Sequence, residues 1–122
     1  MSNANFHVKE HVIPGQHIRH YYRSTAVSQE ALVQLCVKQY TPKHAGEAQP
    51  GDVTILACHA SGYPKELYEP IWDGILENAT RTVGGFRIRN VWIVDVSNQN
   101  ASGVLNEHLL GNERWSCFIL CL

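Results

Sequence analysis

Two apolar runs constrain this chain more than anything else in it: Val53-Thr54-Ile55-Leu56-Ala57-Cys58 and Val91-Trp92-Ile93-Val94-Asp95-Val96. Short, nearly continuous runs of this kind read as strands covered on both faces, the pattern of a parallel sheet. Between them, Pro70 suits a first helical turn, where its missing N–H costs nothing. Ile71, Ile75, Leu76 and Ala79 follow at helical spacing, and Gly84-Gly85 supplies a stop. Lys65 to Glu69 reads as a separate turn. Strand, loop, helix and strand then form one β-α-β unit from Val53 to Val96, with a right-handed crossover expected. The fold class is α/β.

Upstream the pattern is weaker. His7 to Ile13 alternates loosely, with Val8 and Ile13 as inward positions, before a Pro14-Gly15 turn. His17 to Arg23 reads as an edge strand. Residues 30–40 fit a helix through Leu32 and Leu35, or a strand through Val33, Leu35, Val37 and Gln39. The strand is preferred, because Pro42 disfavours helical geometry at Thr41 and the run is rich in strand-forming residues.

Composition excludes several functions. Ten Lys/Arg against eleven Asp/Glu leave a net charge of -1, with no basic stripe for nucleic acid and no polybasic membrane patch. No apolar run reaches transmembrane length, and the first residues lack a signal core. A cytoplasmic, reducing address is the default expectation. Cys36, Cys58, Cys117 and Cys121 follow no redox or zinc spacing, and Cys58 reads as a buried structural thiol.

In open α/β sheets, ligands collect at the carboxyl ends of strands. Two polar clusters fall there: His59 to Pro64, and Asp95 to Gly103. Ser61, His59 and Asp95 do not make a convincing triad, since residues 59 and 61 of one sharp loop are poorly placed as base and nucleophile. The chain contains no GxSxG, GxGxxG or GxxxxGK[ST]. His59 is expected to bond loop backbone, and the other six histidines to be solvated. Glu66, Glu69, Asp73 and Glu77 read as an exposed helix face, and Trp92 as core. Tyr63, Tyr68 and Trp72 either line a small pocket or pack the loop on the helix. No metal site and no cofactor is expected.

The runs GDVTILACHASGYPKELYEPIWDGI at 51–75 and IRNVWIVDVSNQNASGVLNEHLLGNERW at 88–115, with QLCVKQYTP at 34–42, carry a specific resemblance. The chain resembles the N-terminal part of an α/β-hydrolase, closest to the fungal branch of toxin-biosynthesis and peroxisomal serine-hydrolase-like proteins. HxxGYPKExYEP is its most specific motif. The resemblance implies an incomplete hydrolase sheet, with the early strands and first crossover helix only. Residues 1–16 form an N-terminal segment, 17–115 a partial α/β-hydrolase domain, and 116–122 an atypical hydrophobic tail, SCFILCL.

By this resemblance, His59, Ala60, Ser61 and Gly62 form the oxyanion loop, with the backbone N–H near Ser61 as donor. Ala60 stands where glycine is common, which implies a somewhat different loop shape. Tyr63, Tyr68, Asp95 and Ser97 are pocket candidates. The family's nucleophile, acid and base all follow the region matching residue 115, so no catalytic residue carries over. The leading expectation is a truncated, hydrolase-like chain without activity of its own. The alternatives are a fragment of a serine hydrolase cleaving an acyl bond of a small hydrophobic molecule, or an interaction module. The third strand of the family neighbours a fifth that is missing here, so its apolar edge is expected bare and open to self-association. Full-length relatives can be peroxisomal, but this C-terminus carries no such signal.

Overall fold

The computed structural model of the chain describes residues 4–15, 27–28 and 30–111. The expected strand at His17 to Arg23, the cysteines at 117 and 121 and the hydrophobic tail lie outside these. The elements are β1 (Phe6–Pro14), β2 (Gln34–Pro42), β3 (Val53–Cys58), a 3-10 turn (Lys65–Tyr68), α1 (Glu69–Arg81), β4 (Ile88–Val94) and α2 (Asn100–Leu105).

One four-stranded sheet has the order β1-β2-β4-β3. β3 and β4 pair in parallel, from Val53 opposite Ile88 to Cys58 opposite Val94, which is the β-α-β unit expected from the apolar runs. β2 pairs antiparallel with β4 and, along its whole length, with β1. Residues 34–42 are thus strand, as preferred, and β1 is an integral edge of the sheet.

The α1 stripe is Trp72, Ile75, Leu76 and Ala79, and it packs on Phe6, Tyr40, Ile88, Val91 and Ile93. Ile71, expected on this stripe, is exposed because Trp72 occupies the inward position. In β1 the inward residues are Phe6 and Val8, while Ile13 points out. Loose alternation could not reveal this, because Phe6 lies before the segment that showed it.

The other sheet face carries no comparable helix layer among the described residues. Leu35, Val37 and Val94 form a small cluster there with Trp92 half-buried against it. Beside it runs a polar cross-strand ladder. Gln39 Nε2 donates to Asn90 Oδ1 at 3.1 Å, Thr41 Oγ1 donates to the same oxygen at 2.7 Å, and His11 Nε2 lies 3.0 Å from Gln39 Oε1. His11 also stacks at a tilt on Trp92, so this histidine is not simply solvated and Trp92 is only half in the core.

β3 corrects one expectation about burial. Ile55 and Ala57 face α1, but Leu56 is 77% exposed and Cys58 is exposed. β3 is an edge strand with one covered face, and its outer edge pairs with nothing among the described residues.

Of the carboxylates on and before α1, Glu66 and Glu77 are exposed as expected, whereas Glu69 and Asp73 are half-buried. Glu69 accepts from the Tyr40 hydroxyl at 3.0 Å, Asp73 from Asn5 Nδ2 at 2.9 Å, and Glu77 from Arg81 at 3.0 Å. Burial and the Glu69 carboxylate push the Tyr40 phenol well above its ordinary value, so it stays a donor. Lys38 Nζ, on β2, meets Glu66 at 2.9 Å and pins the 3-10 turn to the sheet.

Burial disfavours the Glu66 carboxylate, but the Lys38 hydrogen bond, its backbone bond and the nearby ammonium groups outweigh it and hold the carboxyl below its ordinary 4.5. Burial likewise disfavours the Lys38 ammonium, and Glu66, Glu10 and Glu69 outweigh it and hold that group above its ordinary 10.5. A lowered carboxyl stabilises above its unfolded value and loses that contribution as pH falls through the folded one. A raised ammonium stabilises below its unfolded value and loses it as pH rises through the folded one. The bridge is therefore fully effective between pH 4.5 and 10.5. Glu66→Gln should lower the urea midpoint by a constant amount across that window. The difference should disappear in acid, as the wild-type carboxyl itself protonates.

A second prediction separates the covered and bare faces. Ile93, fully buried, should cost about 2–5 kcal/mol on Ile93→Ala, whereas Leu56→Ala should stay within about 0.5 kcal/mol. Urea unfolding of the two variants checks the contrast.

Candidate functional site at the carboxyl ends of the parallel strands

β3 and β4 end side by side, and each runs into one of the two polar clusters. The loop after β3 holds His59 to Pro64; that after β4 holds Asp95 to Gln99 and leads into α2.

His59 is buried, and both ring nitrogens are committed to backbone. The Val96 N–H donates to Nε2 at 3.1 Å, so this nitrogen is an acceptor and carries no proton. Nδ1 must then carry the proton, and it donates to the Ala60 carbonyl at 2.8 Å. Asp95 Oδ1 is 3.9 Å from Nε2, too far for a hydrogen bond. A ring so held cannot also act as a general base without breaking the strand-end contact, so His59 ties the β3 loop to the end of β4, as its position suggested.

Ser61 is exposed, and its Oγ accepts from Gln99 Nε2 at 3.2 Å rather than meeting a histidine. Residues 60–63 form a tight turn closed by the Tyr63 N–H on the Ala60 carbonyl at 3.0 Å, with Gly62 at φ 81°. A type II turn places its positive φ there. The demand for glycine thus falls at 62, while Ala60 keeps a negative φ and tolerates its side chain without backbone strain. The Ala60 N–H donates to the Tyr68 hydroxyl at 2.7 Å, and the Gly62 N–H to Gln99 Oε1 at 2.8 Å. Among the described residues the Ser61 N–H, between them, has no protein acceptor.

Beneath this loop lies a buried ion pair. Lys65 Nζ contacts Asp95 Oδ2, the lysine only 4% and the aspartate 0% exposed. Glu66 lies 3.4 Å from the same ammonium. Asn100, with φ 51°, reaches Asp95 Oδ1 at 3.3 Å and the Tyr63 carbonyl at 3.2 Å with the same amide nitrogen. Further in, Ser102 Oγ donates to the Asp95 carbonyl at 2.9 Å and accepts the Cys36 N–H at 2.8 Å. Asn106 brackets Gln34, accepting its N–H and donating to its carbonyl, each at 2.7 Å, and donates to the Ser97 carbonyl at 2.8 Å. Burial raises the Cys36 thiol, with Lys65 opposing, so the sulfur beside this network is held as a thiol.

The residues singled out from sequence therefore divide. His59, Ala60, Ser61 and Gly62 do form one loop, and Asp95 lies under it. Ser97 is buried, Tyr68 stacks on Trp72 at 6.2 Å between ring centres, and Tyr63 is 57% exposed. A cavity of about 490 Å3 lies at the opposite end of β4, where Leu76, Ala79, Phe86 and Ile88 line it, and none of the chosen residues borders it. The cluster from Asp95 to Gly103 was expected at this strand end, but no role was read for its Gln99, Asn100 and Ser102, and Lys65 and Asn106 were missed altogether. No cluster of three or more His, Cys, Asp or Glu suited to a metal occurs among the described residues, and no helix there is long and apolar enough to cross a membrane.

Known proteins are similar to the chain in sequence and in fold. No protein-family model matches the chain. Type I acyl-CoA thioesterase mpaH of Penicillium roqueforti is 47% identical to it over 110 residues, and mpaH' of Penicillium brevicompactum is 47% identical over the same length. Each match covers 90% of this chain, which spans only 24% of the length of these relatives. Among solved structures, the peroxisomal α/β-hydrolase Lpx1 of Saccharomyces cerevisiae superposes with a TM-score of 0.71 at 21% identity, covering 88% of this chain and 29% of that one. The strand order, the crossover helix and this superposition show that the chain has part of an α/β-hydrolase fold, and its sequence is similar to a stretch of the fungal thioesterases.

Proposed function

We propose that this chain is the oxyanion-loop portion of an acyl-thioester hydrolase and does not hydrolyse substrate by itself. The observation that carries this is the Ser61 N–H, without an acceptor among the described residues while the N–H groups of Ala60, Gly62 and Tyr63 are all engaged. A rigid backbone donor at a strand end is what a carbonyl oxygen needs as it gains negative charge in the transition state. The described residues offer no nucleophile paired with a base, since His59 is held by backbone and Ser61 Oγ by Gln99. The thioester class is taken from the names of the fungal relatives. In the complete hydrolase a serine, a base and a carboxylate from other parts of the fold would attack the carbonyl, and this segment would bind the resulting oxyanion.

The test has two arms. The chain alone, given an acyl-CoA and assayed for released thiol, should show no hydrolysis above buffer; turnover would overturn the claim of inactivity. The same segment exchanged into the Penicillium roqueforti thioesterase should support hydrolysis, and Ser61→Pro in it should lower kcat by about 10²–10³, the usual cost of losing one oxyanion donor. Proline suits this position of a type II turn, so the substitution removes the N–H while keeping the loop. Undiminished turnover by that variant would contradict the donor role.

A further inference from the structure

We infer that Gln99 is a positioning residue for the oxyanion loop, gripping it from the neighbouring strand end. This rests on the reading of the Ser61 N–H as the carbonyl donor. An exposed four-residue turn closed by one backbone bond is weakly held by itself, and types I and II differ by a flip of the central peptide, here Ser61–Gly62. Gln99 bears on both residues of that peptide. Its Oε1 takes the Gly62 N–H at 2.8 Å, and its Nε2 donates to Ser61 Oγ at 3.2 Å. A flip would turn the Gly62 N–H away from this acceptor, so the amide selects the turn form in which Gly62 has φ 81°. With the Ala60 N–H held by Tyr68, Ser61 is fixed on both sides and through its own side chain.

The base of Gln99 is itself rigid. Its N–H donates to the Val96 carbonyl at 3.1 Å, and its carbonyl accepts the Gly103 N–H at 2.8 Å. A Cβ at Gly103 would come within 2.9 Å of the Asn98 carbonyl carbon, so the close return of α2 onto this segment requires glycine there. Asn100, next in sequence, reaches the same loop at the Tyr63 carbonyl. Two consecutive amides after β4 therefore hold the β3 loop at separate points, Asn100 at Tyr63 and Gln99 at Ser61 and Gly62.

Gln99→Met keeps the length and removes both bonds. Gln99→Glu keeps the acceptor for Gly62 and lets the Ser61 hydroxyl reverse and donate. In the 122-residue chain, hydrogen exchange at the Gly62 amide should rise about tenfold in Gln99→Met and stay near wild type in Gln99→Glu, with Val91 and Ile93 amides unchanged in both. In the exchanged thioesterase, Gln99→Met should lower kcat about tenfold at unchanged KM, and Gln99→Glu should restore it. Gly62 exchange unaltered in Gln99→Met overturns the inference, as does unaltered kcat alongside a Ser61→Pro variant that has lost turnover. If Ser61→Pro keeps full turnover, the donor reading itself fails, whatever Gln99 does.

Discussion

The buried contact between Lys65 and Asp95 constrains this end of the molecule more than any other. Removing an ammonium and a carboxylate from water is expensive, and the pair is tolerated only when both charges are further satisfied. Here Asn100 supplies a hydrogen bond to the carboxylate, and Glu66 stands near the ammonium. The pair joins the start of the 3-10 turn to the end of β4, so the entry of the helical crossover is fixed relative to the strand it must rejoin. Losing either partner would leave a bare charge in the seam, which is why the connection tolerates little slack.

From that seam the polar groups radiate in an order that explains the loop. Asp95 is anchored from below by Ser102 and through its own N–H on the Cys36 carbonyl. Asn100 and Gln99 carry that anchorage upward to Tyr63, Gly62 and Ser61, while His59 closes the other side by receiving the Val96 N–H. Every one of these side chains meets backbone or another structural side chain. The result is a hydrogen-bonded frame around the exposed residue Ser61. In the proposed function, this frame holds a charge that develops elsewhere.

The elements with a strong local period were legible from the residues. Val53–Cys58 is the strand its composition announced, Pro70 lies in the first turn of α1 as its chemistry allows, and His59 does the backbone bonding that its place at a strand end suggests. What local pattern could not show is where a strand sits within its sheet. The apolar run of β3 implied two covered faces, yet Leu56 and Cys58 face outward because no further layer lies over that side among the described residues. The frame was equally hidden. Lys65 meets Asp95 across 30 residues and Gly62 meets Gln99 across 37, separations at which charge and amide content alone name no partner. Glycine at 62 and 103 acquires its meaning only once the turn and the return of α2 are seen.

The central claim is that the polar side chains at these strand ends build the site and do not perform its chemistry, and His59 is its sharpest case. Nitrogen-15 NMR of the histidine rings reports which nitrogen bears the proton. A single His59 tautomer at neutral pH, protonated at Nδ1 with Nε2 accepting from the Val96 N–H, is the result predicted here. A ring protonated at Nε2, or exchanging between tautomers as a solvent-facing base does, would contradict it.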